Sequence, residues 1–233
     1  MTRKCFPILA MLFAACALCL VSCGDGNDEV TPADADAVDL GLSVKWATRN
    51  LGAGKPEEYG NYYGWGGTGT YAKGEDADWP MYWKKTGSTS LLFDDCGTSK
   101  DPLQEYVYPN QKSISATKWD AARRKLGGKW RIPTQGEMTE LLNNCDWIWS
   151  TVNAVNGYKV VSRKDPSKYI FLPAAGFRNG TSLYNDGSDG RYWCALPHSI
   201  APTFAYCMSI NSDGRYVNED LRCTGLTIRP VTE

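Results

Sequence analysis

At 233 residues the chain holds one large domain or two small ones, and 42% apolar with 22% charged residues excludes wholesale disorder. Net charge is −1; setting aside the first 22 residues, which carry Arg3 and Lys4 and no acid, leaves 23 basic against 26 acidic residues, or −3. With no basic surplus, nucleic acid is not an expected partner, and a single His beside nine Trp, 13 Tyr and 23 Gly argues against His-based catalysis and zinc chemistry.

Residues 1–22 read as a secretory signal: Arg3 and Lys4 precede an apolar run over residues 6–21 that is shorter than the about 20 residues a membrane span needs. An uncleaved anchor helix is the weaker alternative. Leu20-Val21-Ser22-Cys23 resembles the lipobox of bacterial lipoproteins, which implies acylation of Cys23 and membrane attachment through that lipid alone. Residues 23–37 are acidic and small and read as a flexible tether. Their acidic run resembles the signal that sends Bacteroidales-type lipoproteins to the outer face of the outer membrane; a merely solvated linker is the plainer reading.

Residues 38–233 read as one domain. Residues 38–47 alternate as a half-buried strand does. Tyr59-Gly60-Asn61-Tyr62-Tyr63-Gly64-Trp65-Gly66-Gly67 has too much Gly for a helix and too many aromatics for a solvated linker, so packed irregular structure is expected over residues 52–85, with loops over 86–111. Two capping boxes, Thr117 with Asp120 and Thr134 with Glu137, each open a helix. The first carries Trp119, Ala122 and Leu126 and stops at Gly127-Gly128; the second carries Met138, Leu141, Leu142 and Cys145 on one face. After Trp149 come strands: a hairpin from 158–162 and 168–172, then 190–193, 205–210, 215–218 and 226–231, with turns at Asn185-Asp186-Gly187 and Asp213-Gly214. This order is α+β.

Four separated motifs, Val38-Asp39-Leu40-Gly41-Leu42-Ser43-Val44-Lys45-Trp46-Ala47-Thr48, Tyr59-Gly60-Asn61-Tyr62, Gly127-Gly128-Lys129-Trp130-Arg131-Ile132-Pro133-Thr134 and Leu172-Pro173-Ala174-Ala175-Gly176, resemble the Fibrobacter succinogenes major paralogous domain. The resemblance implies a C-type-lectin-like fold, with two helices packed on small twisted antiparallel sheets and long loops. Residues 177–184 and the closing Gly225-Leu226-Thr227-Ile228-Arg229-Pro230-Val231 resemble the variable proteins of diversity-generating retroelements. In those systems adenine-directed errors rewrite AAC and AAT codons, which can then encode types such as Ala, Leu, Pro, His, Ser or Cys, but never Trp, Lys, Met, Glu or Gln.

Cys194, Ala195, Leu196, His198, Ser199, Ile200, Ala201, Pro202, Thr203, Phe204, Leu221, Arg222, Cys223 and Thr224 all belong to the permitted set, while Trp193, Met208 and Glu219 around them do not. With Arg191, Arg215, Asn218 and Asp220 they form the expected ligand-binding region, about residues 190–224, whose number approaches the roughly 20–30 residues of a standard interface. Leu196, Ile200, Pro202 and Phe204 would supply its apolar centre, with His198 and Arg222 as polar contacts. An ordinary drifted loop is the alternative. The expected partner is a protein or glycan ligand at a cell or phage surface.

No catalytic residue, metal site or cofactor is expected. His198 has no acid at an informative spacing, and Cys96, Cys145, Cys194, Cys207 and Cys223 form no CxxC pair. The calcium-binding Glu-Pro-Asn, Gln-Pro-Asp and Trp-Asn-Asp signatures of sugar-binding C-type lectins are missing, and Asp186, Asp189, Asp213, Glu219 and Asp220 read as solvated turn acids before they read as ion ligands.

Overall fold

The computed structural model describes residues 37–69, 103, 105–107, 109–179 and 182–233. The expected signal segment, Cys23, the tether up to residue 36, Cys96 and most of the loop stretch ahead of residue 111 lie outside the described residues. Within them the chain is α+β: small antiparallel sheets with two helices, in the order β1 (Ala37–Val38), β2 (Lys45–Ala47), α1 (Ala121–Leu126), α2 (Gln135–Asn144), β3 (Cys145–Val152), β4 (Val155–Ser162), β5 (Tyr169–Pro173), β6 (Phe177–Asn179), β7 (Ser182–Tyr184), β8 (Asp189–Pro197), β9 (Phe204–Asn211), β10 (Gly214–Leu221) and β11 (Val231–Thr232). The sheets run β1-β2-β11, β3-β4-β5, β6-β7 and β10-β9-β8.

Local chemistry explains most element boundaries. Thr134 caps α2 as a complete box: its hydroxyl accepts from the Glu137 N–H at 3.2 Å, and the Glu137 carboxylate accepts from the Thr134 N–H at 2.8 Å. The first box does not form. Asp120 itself caps α1, accepting from the Arg123 N–H at 3.0 Å, while the Thr117 hydroxyl accepts from the Trp119 N–H ahead of the helix. Asp120 wins because its other oxygen also accepts from the N–H groups of Ala116 and Ile132, tying three segments to one buried carboxylate. Gly127, at φ +66°, ends α1 as expected.

Two strand expectations need correction. Residues 38–47 are not one strand: the chain reverses at Gly41, φ +75°, so that Val38 pairs with Trp46. Residues 226–231 contribute β11 and isolated bridges rather than a continuous strand, although Leu226, Ile228 and Val231 are buried. The 158–172 hairpin is present as β4 and β5, and Ser212-Asp213 turns β9 into β10 with Asn211 opposite Gly214.

The β10-β9-β8 sheet lies between two cores. Tyr192, Cys194, Met208 and Ile210 pack on one side with Trp46, Met138, Leu141, Val160 and Leu172. Trp193, Ala195, Ala205 and Cys207 pack on the other with Tyr63, Trp65, Ile114, Ala122, Leu226 and Ile228. Alternating residues of β8 and β9 therefore enter both cores, as in a sheet covered on both faces. The Gly- and aromatic-rich segment belongs to the second core: the Trp65 indole donates to the Cys194 carbonyl at 2.9 Å and the Trp193 indole to the Tyr63 carbonyl at 2.7 Å. At Gly66, φ +78°, a Cβ would come within 2.4 Å of Leu103, so only Gly fits this packed turn.

Candidate ligand-binding face

β8 and β9 emerge from the double core and are joined by residues 198–203. That connection is held by its own polar groups. His198 Nδ1 accepts from the N–H of Ala201 at 3.0 Å and of Ile200 at 3.3 Å, which requires the imidazole proton on Nε2. The His198 N–H donates to the Phe204 carbonyl, and the Phe204 N–H donates to that of Ala201, both at 3.0 Å. Gln111 donates to the Ser199 carbonyl, and Tyr206 places its ring 5.2 Å from that of His198 with its hydroxyl 3.4 Å from the Ser199 Oγ. Ile200 projects from this fixed backbone with 77% of its surface exposed. Leu196, His198, Ser199, Ala201, Pro202, Thr203 and Phe204 are half-buried around it.

The segment after β10 lies alongside. The Arg222 N–H donates to the Thr203 carbonyl at 2.9 Å, and Leu221 pairs with Phe204. Asp220 then links this loop to Arg191, whose guanidinium donates to Asp220 at 2.7 Å and to Asp189 at 3.0 Å. Burial works against charge on Arg191, but the two carboxylates outweigh it and hold the guanidinium above its ordinary range. The same guanidinium lies 3.9 Å over the Phe177 ring, which stacks on half-exposed Tyr184. A continuous path thus runs from Tyr184 and Phe177 through Arg191 and Asp220 to Leu221, Phe204 and Ile200.

Six of the expected binding residues are not on this face, five because they are buried and Arg215 because it lies elsewhere. Cys194 and Ala195 are fully buried because β8 is covered on both sides. Arg222 is fully buried with its guanidinium 5.8 Å from the Trp65 ring, and Cys223 and Thr224 lie at 1% and 5% exposure, the Thr224 hydroxyl donating to Asp220. These side chains form the support of the loops rather than their contact surface. Arg215 is exposed at the far end of β10 and lies 5.2 Å over Trp147, on the opposite face of the strand from Asn218 and Asp220. Asn218 is half-buried beside the path. Asp189, Phe177, Tyr184, Tyr206 and Gln111 belong to the face and were not singled out for it by sequence; Tyr206 and Asp189 lie beside expected binding residues, and Phe177 and Tyr184 lie in the 177–184 motif.

Burial pushes the Cys145 thiol up to about 11 and the Cys207 thiol to about 12, and raises that of Cys194 well above its ordinary value, so none is a ready nucleophile at neutral pH. Among the described residues no group of three or more His, Cys, Asp or Glu side chains is placed to hold a metal ion. A cleft of about 630 Å³ between β1, Leu126, Trp130 and Lys168 is lined by none of the expected binding residues. Comparison with family models, with curated proteins and with solved structures returned no match.

Proposed function

We propose that this chain is an outer-surface lipoprotein of C-type-lectin-like fold whose C-terminal face binds a macromolecular ligand and is diversified by a retroelement. What supports the reading is one contrast: residues 196 and 198–204 present varied side chains on a backbone held by hydrogen bonds, with Ile200 exposed to 77%. Apart from the His198 imidazole, which itself accepts from Ala201 and Ile200, that backbone is held by main-chain bonds and by Gln111, so the other displayed groups can change while little ordering entropy is lost on binding. Ile200, Pro202 and Phe204 would fill an apolar pocket of the ligand, and the Arg191–Asp220 pair would sit at the polar margin.

The diversification is tested in the gene's own flanks. The expected finding is a near-copy of the 3′ end that differs only at adenines, beside a reverse transcriptase gene; their absence removes this part of the reading. For the anchor, Cys23→Ser is expected to move the protein from the membrane fraction to the soluble fraction.

A second reading, a glycan-binding module of the same fold without diversification, is favoured by Trp147, Tyr158 and Trp149. Both indoles meet the Tyr158 ring edge-on, at 5.4 and 5.0 Å, and both are half-buried. Saturable binding on a glycan array that survives scrambling of residues 198–204 would select it over the first.

A further inference from the structure

The outer side of β10 has no strand beside it among the described residues, because β10 ends its sheet. The hydrogen-bond phase identifies which residues face outward there. Along β8, Arg191 accepts from Thr227, Trp193 donates to Thr227 and Ala195 donates to Pro133, so the even residues of β8 bond to β9 through Met208 and Ile210. Cys207, Ser209 and Asn211 are then the ones that bond to Asn218, Tyr216 and Gly214. The N–H and C=O groups of Arg215, Val217 and Glu219 consequently point away from the sheet.

Exposed edges of this kind invite another strand, and charged side chains normally discourage it. Here the charges are opposite and evenly placed. Arg215 and Glu219 are both exposed, share one face, and stand two residues either side of half-buried Val217. No ion pair is formed by either within the described residues. Arg215 contacts the rings of Trp147 and Tyr158 through its guanidinium at 5.2 and 6.0 Å, which leaves its in-plane N–H groups able to meet a carboxylate.

We infer that the β10 edge pairs antiparallel with the β10 edge of a second copy of this chain, about a two-fold axis through Val217. In that register Arg215 of each copy lies opposite Glu219 of the other, and Val217 lies opposite itself. Each of these pairs brings together outward-pointing groups and makes two backbone hydrogen bonds. Neighbouring registers are worse. Centring on Arg215 or Glu219 sets like charges opposite one another, and centring on Tyr216 or Asn218 leaves Arg215 against Val217 or Leu221. The self-complementary spacing of charge selects one alignment and makes the contact isologous. It joins two β10-β9-β8 sheets into one continuous sheet.

The test uses the protein purified from cells expressing the whole chain, with mass measured by light scattering over a concentration series and thermal unfolding as the control for folding. The wild type is expected to double in mass. Arg215→Glu and Glu219→Arg are each expected to return it to the monomer, and the double exchange Arg215→Glu with Glu219→Arg to restore the dimer. Val217→Cys is expected to give an oxidative cross-link of doubled mass that the parent chain does not give. A wild type that stays monomeric, a dimer indifferent to Arg215→Glu, or a double exchange that fails to restore pairing overturns the inference. In that event an extended segment of another protein, or of this chain, becomes the candidate for the edge.

Discussion

Arg229 is a fully buried cation whose role is internal. Its guanidinium donates to the Asn50 side-chain oxygen at 2.9 Å and to the carbonyls of Ala47 and Phe171 at 3.0 and 2.6 Å. Burial lowers its pKa to about 10, which still leaves it charged at neutral pH. The planar fork satisfies three acceptors from three segments, a geometry an ammonium cannot copy. Arg229→Met is expected to cost about 3 kcal/mol or more, since three acceptors lose a charged donor inside the protein. Arg229→Lys is expected to recover only part of that loss. Urea unfolding followed by tryptophan fluorescence measures both. The sequence marked Arg229 only as one letter of a closing motif, because nothing local distinguishes a buried Arg from a solvated one.

At the scale of elements, α2 was the most legible piece and its cap is also a titrating device. Burial opposes ionisation of Glu137, but Arg131, at 2.6 and 2.9 Å, and the Thr134 N–H outweigh it and hold the carboxyl below its ordinary value of 4.5. A depressed carboxyl contributes stability that is present above the unfolded value and is lost as pH falls through the folded one. Asp120 runs the other way: burial raises it above its ordinary 3.8 despite the hydrogen bonds from the Ala116, Arg123 and Ile132 N–H groups, so its contribution improves as pH falls through its raised value toward 3.8. Glu137→Gln is therefore expected to destabilise by about 1.5–3 kcal/mol at neutral pH, a penalty that shrinks progressively below pH 4.5. Thermal unfolding of both proteins across pH 3 to 7, roughly the window in which carboxyls titrate, reads the difference.

Other elements were less legible, for definable reasons. Residues 38–47 alternate like a strand, yet Gly41 admits a positive φ and the segment gains more by pairing with itself and with β11. The Thr117 box matched a local pattern, but Asp120 found three backbone donors across 116–132 that no sequence window contains. β3 was not foreseen at all, and its first residue Cys145 continues the apolar stripe of α2 while beginning the strand.

For the whole molecule, the double core divides the expected variable region into displayed and supporting positions. Substitutions at the first kind, His198 apart because its imidazole holds the loop, should be nearly silent in stability, and at the second kind expensive. Ile200→Asp is expected to stay within about 0.5 kcal/mol of the wild type, as surface changes usually do. Cys194→Tyr must force a large ring between β8 and the first core and is expected to cost about 1–3 kcal/mol or more. Guanidinium unfolding compares them, and equal costs would contradict the division. The same partition narrows where the proposed diversification would act: Cys194, Ala195, Arg222, Cys223 and Thr224 support the loops that carry residues 196 and 198–204.

Composition, turn residues and caps determined the α+β class, α2, the 158–172 and 205–218 hairpins and the packed nature of the aromatic loops, because each depends on interactions within a few residues. Which candidate residues reach solvent was decided only by tertiary structure. β8 and β9 have alternating side chains on two faces, and whether a face meets water depends on what distant segments lay against it. Trp65 and Tyr63 cover one side and Met138 and Leu141 the other. No local pattern encodes either cover, and together they bury Cys194 against Met138 and Leu141 and Arg222 beside Trp65 while leaving Ile200 at the surface.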